Sequence, residues 1–123
     1  MREIPILEYK GRLIVSLQFD LTDSLAMEVQ EAILRRIETS KAAGLVIDIS
    51  ALEMVDSFIA RVFMETGHMA RLMNVRTVLV GMKPEVALTL IQMGFALCGV
   101  LTATDLEGGL DLLDRPEEDV RSA

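Results

Sequence analysis

Two short and almost continuous apolar runs, Leu45–Ile49 and Arg76–Val80, constrain the fold of this 123-residue chain more than any other feature. A strand with apolar side chains on both faces has to be covered on both faces, which is typical of parallel strands in α/β domains. Each run is followed by apolar residues at helical spacing, in segments that start at Ser57 and at Pro84. We therefore predict an α/β fold with Leu45–Ile49 at the centre of its sheet.

Turn residues, helix caps and apolar periodicity predict the other elements. In chain order the predicted elements are strands Ile4–Tyr9 and Arg12–Phe19, a helix within residues 21–44, strand Leu45–Ile49, a helix over 57–74, strand Arg76–Val80, a helix from Pro84 to Gly94, strand Val100–Ala103 and a helix ending at Leu113. Thr22 or Asp23 is expected to cap the first helix, Gly44 to stop it and Asn74 to end the second. Lys10-Gly11 fits a tight turn between antiparallel strands.

The predicted architecture is a central mixed sheet flanked by about four helices, with an antiparallel hairpin on one side and right-handed parallel crossovers in the rest. Residues 1–114 are predicted to form this single domain, whose length is sufficient for one hydrophobic core. Residues 115–123 are polar and are predicted to be a C-terminal tail.

Charge, hydropathy and single-residue counts argue against several function classes. The net charge is −7 and no basic run is dense, so nucleic acid is not an expected partner. No apolar run approaches the roughly 20 residues of a membrane span, so we expect a cytoplasmic protein without a membrane partner. Cys98 is the only cysteine, expected to be core packing, and His68 is the only histidine. Neither the GxGxxG nor the GxxxxGK(S/T) phosphate-binding motif is present. A single histidine cannot form a His-based metal cluster or a catalytic triad, so no cofactor, metal or catalytic residue is expected.

The pair Asp56-Ser57, at the entrance of an apolar-striped helix, is the sharpest local feature. Ser57 is expected to be the helix N-cap, which stabilises a helix by about 1 kcal/mol. A phosphate on Ser57 would also lie near free N–H groups and the positive helix end, so phosphorylation need not unfold the domain. Arg61 follows one turn later and is favoured to pair with Glu65 rather than with a phosphate.

Four aspartates, Asp20, Asp23, Asp48 and Asp56, leave a second hypothesis open. They could gather at one end of the sheet as a magnesium site, and the protein would then resemble a response-regulator receiver. A receiver also needs a lysine after a late strand, and Val100–Thr104 contains none. This alternative is the less favoured one.

The run VIDISALEMVDSFIARVF, followed by TVLVGMKPEVALTLIQMGF, resembles the STAS domain family of anti-sigma-factor antagonists. The resemblance extends over about residues 3–114, with Asp56-Ser57 matching the family's phospho-acceptor motif and Asp48 its strand-end aspartate. Ordinary antagonists usually have small residues after Asp-Ser, whereas this chain continues Phe58-Ile59-Ala60-Arg61. That departure is similar to the serine-bearing antagonists of stressosomes, the RsbS type.

The resemblance implies a non-enzymatic regulator that sequesters a GHKL-type serine kinase and releases it when Ser57 is phosphorylated. It also implies a PP2C-like phosphatase that reverses the modification and a large complex with a related STAS-domain sensor protein. Self-association is expected from the resemblance and from the apolar content of 51%. The alternative is a constitutive oligomeric scaffold in which Ser57 is only a cap.

Overall fold

The computed structural model describes residues 4–93 and 100–116, in five strands and four helices that follow the predicted order. The elements are β1 (Ile6–Tyr9), β2 (Arg12–Ser16), α1 (Asp23–Thr39), β3 (Gly44–Asp48), α2 (Ser57–Leu72), β4 (Arg76–Val80), α3 (Pro84–Gln92), β5 (Val100–Ala103) and α4 (Leu106–Asp114). The predicted α/β class is confirmed. Both hairpin strands are shorter than predicted. β1 begins at Ile6 rather than Ile4, and β2 ends at Ser16 rather than Phe19.

The hairpin turn between β1 and β2 was read correctly from the sequence. Lys10 and Gly11 both have positive φ, 49° and 77°, which matches the right-handed twist of the two strands. Tyr9 pairs with Arg12 across this turn in an antiparallel register. A dipeptide that accepts left-handed backbone geometry thus sets the register of the first two strands.

The five strands lie in the order β1-β2-β3-β4-β5, and every pair after the hairpin is parallel. The predicted mixed sheet and the central place of β3 are confirmed. Because the strand order never reverses, right-handed crossovers place α1, α2 and α3 on the same face. The apolar clusters agree, since the three helices share one core and α4 packs on the opposite face.

Side chains of the central strand alternate between these two cores. Leu45 and Ile47 pack toward the three-helix face, whereas Val46 packs with Val78 and Leu113 on the α4 face, and all five are at least 94% buried. A strand buried on both faces explains why its sequence reads as an apolar run rather than as an alternation.

Helix ends correct some predictions and confirm others. The Oγ1 of Thr22 accepts the N–H of Leu25 at 3.1 Å and caps α1. Gly44 does not stop this helix, because α1 ends at Thr39 and Gly44 is the first residue of β3. Asn74 does follow the end of α2 with a φ of 64°, as predicted.

Several predictions lie outside the described residues. They are Gly94 as the end of the third helix, the packing of Cys98 and the tail from residue 117 onward. Within the described ranges, no helix is long and apolar enough to cross a membrane.

Candidate functional site

The connection between β3 and α2, residues 49–56, holds Ser57 in place. It starts with a turn in which Asp48 Oδ1 accepts the N–H of Ser50 at 2.9 Å. Leu52 and Val55 are then buried, with 2% and 5% of their surface exposed, so the loop is anchored at two points. An anchored loop presents the first residue of the helix in one position rather than in many.

The neighbouring connection, between β4 and α3, supports this loop from the side. Ile49 donates its N–H to the carbonyl of Val80 at 3.0 Å, beyond the last paired residue of β3. Gly81 has a φ of 79°, and a Cβ at this position would lie 2.5 Å from the Cβ of Ser50. Glycine is therefore required at position 81 for both its backbone conformation and its close approach to the loop.

Asp56, not Ser57, caps helix α2. The Oδ1 of Asp56 accepts the N–H of Ile59 at 2.9 Å, and its carbonyl accepts the N–H of Ala60 at 2.9 Å. Asp56 has extended backbone angles, whereas Ser57 is already the first helical residue. The prediction that Ser57 is the N-cap is therefore wrong by one residue, because either side chain can serve as a cap and only the backbone geometry selects one.

Ser57 itself is exposed, and its position at the first helical residue leaves its hydroxyl outside the cap. The N–H groups of Ser57 and Phe58 belong to the first turn, where a helix has no internal acceptors. The local chemistry is that of an accessible hydroxyl beside helix N–H groups and the Asp56 carboxylate.

The residues next to Ser57 in the chain include exposed apolar and acidic ones. Met54 is 87% exposed and Phe58 39% exposed, and Glu53 and Asp56 are exposed beside them. We name Glu53, Met54, Asp56, Ser57 and Phe58 the Ser57 surface. Asp56 and Phe58 could be singled out from the sequence. Met54 was not predicted, although its place between the apolar residues Leu52 and Val55 was a signal.

Arg61 lies on the exposed side of α2, one turn after Ser57. Its predicted pairing with Glu65 stays a prediction. His68 is exposed in the second half of the same helix.

The aspartates considered for a magnesium site have separate local positions. Asp48 and Asp56 each accept a backbone N–H, Asp23 is the first residue of α1, and Asp20 lies in the loop before it. Over residues 4–93 and 100–116, no group of three or more His, Cys, Asp or Glu residues is placed to hold a metal ion.

The chain is similar to known proteins in its domain family, in its sequence and in its structure. A family model described as STAS domain matches residues 3–104. The chain is 28% identical over 94 residues to the RsbT co-antagonist protein RsbRA of Bacillus subtilis (strain 168), in an alignment that covers 73% of this chain and 34% of RsbRA. The chain spans about a third of the length of the curated relatives that it matches.

Two solved structures match over nearly the whole chain. RsbS of Moorella thermoacetica, in a serine-to-glutamate variant, is 38% identical with a TM-score of 0.81, covering 99% of this chain and all of that one. A chain from a structure of the stressosome, described as a signal integration and transduction hub, is also 38% identical. Its TM-score is 0.75, with coverage of 97% of this chain and all of that chain.

Proposed function

We propose that this chain, which belongs to the STAS domain family, is a non-enzymatic regulator of the stressosome type that is switched by phosphorylation of Ser57. One observation carries the proposal: the Ser57 hydroxyl is exposed at the first residue of α2 while Asp56 supplies the cap. Asp56 rather than Ser57 supplies the cap of α2, so a modification of the hydroxyl can change the surface without removing the cap.

A phosphate on Ser57 would add about −1.5 to −2 charges at neutral pH. It would lie at the positive end of α2, near the first-turn N–H groups, which stabilise anions. It would also lie beside the exposed carboxylates of Glu53 and Asp56, which it repels. The domain would stay folded, and the Ser57 surface would become strongly acidic.

The apolar part of the Ser57 surface explains how this charge would affect a partner. Met54 and Phe58 are exposed side chains that a docked protein can cover. A contact that buries them would also draw the phosphate out of water, and burying an unpaired charge is strongly unfavourable. We expect the phosphorylated protein to bind such a partner at least tenfold more weakly, a change of about 1.4 kcal/mol.

The partner that we propose is a serine kinase of the GHKL type, held by the unmodified protein and released after phosphorylation, with a PP2C-like phosphatase reversing the step. The curated relatives are named as co-antagonists of RsbT, and the kinase proposed here would be the counterpart of RsbT. The match to a stressosome chain supports assembly with a related STAS-domain protein and with copies of this chain. We place this assembly in the cytoplasm.

Intact-mass measurement after incubation with the partner kinase and ATP tests the modification. We expect one added phosphate on the wild type and none on Ser57→Ala. Ser24→Ala is the matched control, because Ser24 is also exposed in a first helical turn whose cap is the preceding Thr22. A phosphate that persists in Ser57→Ala, or that disappears in Ser24→Ala, would assign the acceptor to another residue.

Kinase retention tests the switch itself. Ser57→Asp is expected to weaken retention and Ser57→Ala to preserve it, measured as the Kd of each variant for the kinase. Equal affinity of the two variants would contradict the switch, whatever the mass measurement shows.

A constitutive scaffold is the second candidate, and one observation favours it. Leu88 and Ile91 are 55% and 73% exposed on the outer side of α3 and could take part in self-association without Ser57. Light scattering on the wild type and Ser57→Asp separates the two functions. Assembly of equal size in both, together with no phosphate on the wild type, would leave the scaffold as the function.

A further inference from the structure

A groove of about 470 Å³ runs along α1 and reaches the C-terminal end of α2; we name it the α1 groove. Apolar and acidic side chains line it together, among them Met27, Leu34, Met73, Glu28, Glu31 and Glu38. None of its lining residues belongs to the Ser57 surface. The α1 groove is therefore a separate part of the molecule from the proposed phosphorylation site.

The apolar part of the α1 groove is not needed to fill the core. Helix α1 already presents a buried stripe to the core, through Ile33 and Ile37 among others. Met27 and Met73 are 43% and 40% exposed, and Leu34 is half-buried. Apolar side chains that share one groove and have polar residues around them are typical of a protein interaction site. Methionine suits such a site, because its flexible side chain adapts to the shape of a ligand.

The charge of the α1 groove is mainly negative. Arg35 is the one cation among its described lining residues, and Arg35 Nη2 lies 2.6 Å from Glu31 Oε1, one turn away on α1. Within residues 4–93 and 100–116, neither Glu28 nor Glu38 takes part in an ion pair. Three carboxylates and one guanidinium leave two net negative charges beside the apolar side chains. A ligand that complements this groove is therefore cationic as well as apolar.

The length and the walls of the α1 groove fit a helix. Met27 and Glu38 are eleven residues apart on α1, which is about 17 Å, or three turns, at a rise of 1.5 Å per residue. Two packed helices present ridges and grooves of side chains into which a third helix can pack. The described lining residues are on α1 or at the end of α2, so an extended peptide would find no strand edge there to pair with.

We propose that the α1 groove binds an amphipathic helix of a partner protein, with large apolar side chains on one face and lysine or arginine beside them. The apolar face would cover Met27, Leu34 and Met73, and the cations would lie near Glu28 and Glu38. Docking of a helix in a groove is specified by apolar side chains one turn apart. The opposite charges at the rim would orient the helix and speed its association.

A second copy of this chain is a poorer occupant of the α1 groove. Leu88 and Ile91 are exposed on α3, but the one charged residue of that helix is Glu85. Helix α4 carries three carboxylates and no lysine or arginine. Arg61 and Arg71 of α2 already have interaction partners within the chain. Docking of α3 or α4 from a second copy would bring like charges together, which is unfavourable.

Titration of the ¹⁵N-labelled protein with synthetic peptides at constant ionic strength tests the proposal. The first peptide is a helix with leucine on one face and lysine on the other. The second has glutamate in place of each lysine, and the third is a shuffled form of the first that lacks an apolar face. We expect saturable amide shifts at residues 27–38 and 69–73 with the first peptide. The shuffled peptide should bind more weakly by about tenfold or more, and the glutamate peptide should not bind.

Four results would overturn the proposal. Equal binding of the first and the shuffled peptide would show that charge alone attracts the ligand. Binding of the glutamate peptide would show that the carboxylates of the groove have no part in recognition. Saturable shifts confined to other residues, such as 53–58, would place the ligand on another surface. No saturation at millimolar concentration would show that the groove is not a docking site.

Charge variants locate the site. Glu28→Gln combined with Glu38→Gln is expected to raise the Kd of the leucine–lysine peptide by about tenfold or more. Glu107→Gln combined with Asp111→Asn is the matched control, because it removes two exposed carboxylates from α4, on the opposite face of the sheet. An equal rise in the control would show attraction by the net charge of −7 and would refute the groove as the site.

Apolar variants test the other half of the proposal. Met27→Gln combined with Met73→Gln is expected to raise the same Kd by about tenfold or more, and both side chains are exposed enough to be replaced without opening the core. Leu88→Gln is the matched control and should leave the Kd unchanged, because Leu88 is exposed on α3. An unchanged Kd in the methionine variant would refute the groove. A smaller oligomer of the methionine variant alone, measured by light scattering, would show that a second copy occupies the groove and would also overturn the proposal.

Discussion

Removing the carboxylate of Asp56 should destabilise the protein, whereas removing the hydroxyl of Ser57 should not. Asp56 Oδ1 accepts the N–H of Ile59 at 2.9 Å and satisfies one of the four donors that a helix start leaves unpaired. Replacing an acidic N-cap by alanine costs about 1 kcal/mol. The carboxylate also interacts with the positive helix end, which adds about 0.3 to 1 kcal/mol. We expect a total loss of about 1 to 2 kcal/mol for Asp56→Ala.

The Ser57→Ala change should fall within about 0.5 kcal/mol of the wild type, as exposed substitutions outside caps usually do. Asp56→Asn separates the two parts of the Asp56 effect, because asparagine is as good an N-cap as aspartate but carries no charge. The loss of stability in Asp56→Asn should therefore be limited to the charge–dipole part, about 0.3 to 1 kcal/mol.

Urea denaturation followed by circular dichroism measures these differences at constant m-value. For a domain of this size, a loss of 1 kcal/mol also lowers Tm by about 4 °C. Asp105→Ala is the matched control, since Asp105 caps α4 by accepting the N–H of Gly108 at 2.8 Å and should cost a similar amount. If Ser57→Ala destabilises as much as Asp56→Ala, the serine is a cap after all, and a phosphate on its hydroxyl would remove that cap.

Three further changes test the packing. Gly67→Ala would push a Cβ into Val100 and should cost about 1 to 3 kcal/mol, and a double variant with Val100→Ala should recover part of this loss in a urea-unfolding cycle. No recovery would show that the clash is elsewhere. Thr66→Val removes the hydroxyl that accepts a hydrogen bond from Gln30 Nε2 at 3.1 Å in the α1–α2 interface. It should lower the free energy of unfolding by about 1 to 3 kcal/mol, measured by equilibrium unfolding. A neutral result would mean that the second bond of Gln30 Nε2, to the Val62 carbonyl at 3.4 Å, is sufficient. Asn74→Gly should leave Tm equal or higher and Asn74→Ala should lower it, because position 74 has a φ of 64°; the reverse order would contradict the left-handed cap.

Most of the fold could be predicted from local patterns. The Lys10-Gly11 turn, the start of α2 at Ser57, the start of α3 at Pro84 and the strand Val100–Ala103 all appear in the structure where the sequence placed them. Each depends on a few neighbouring residues: a dipeptide that accepts positive φ, a proline at the first helical turn or an apolar run of strand length. Such signals need no distant contact to act.

Local patterns failed where two neighbouring residues could serve the same purpose or where burial was decided by a partner element. Ser57 and Asp56 are both good N-caps, and backbone geometry selected Asp56. Met69 and Met73 continue the apolar spacing of α2 but are 42% and 40% exposed, because the helix turns that side away from the sheet. Gly44 reads as a helix stop, yet it begins the central strand.

The sequence by itself determined the kinds and order of the elements and the place of Ser57 at a helix entrance, because these follow from residues within a few positions of one another. Tertiary structure alone decided which helices share a face and which distant residues meet. One pocket is lined by Lys10, Lys41 and Arg76. They meet there only because the parallel register brings the first residues of β2, β3 and β4 to the same end of the sheet. No local pattern encodes that meeting, because the register is set by burial of the entire sheet.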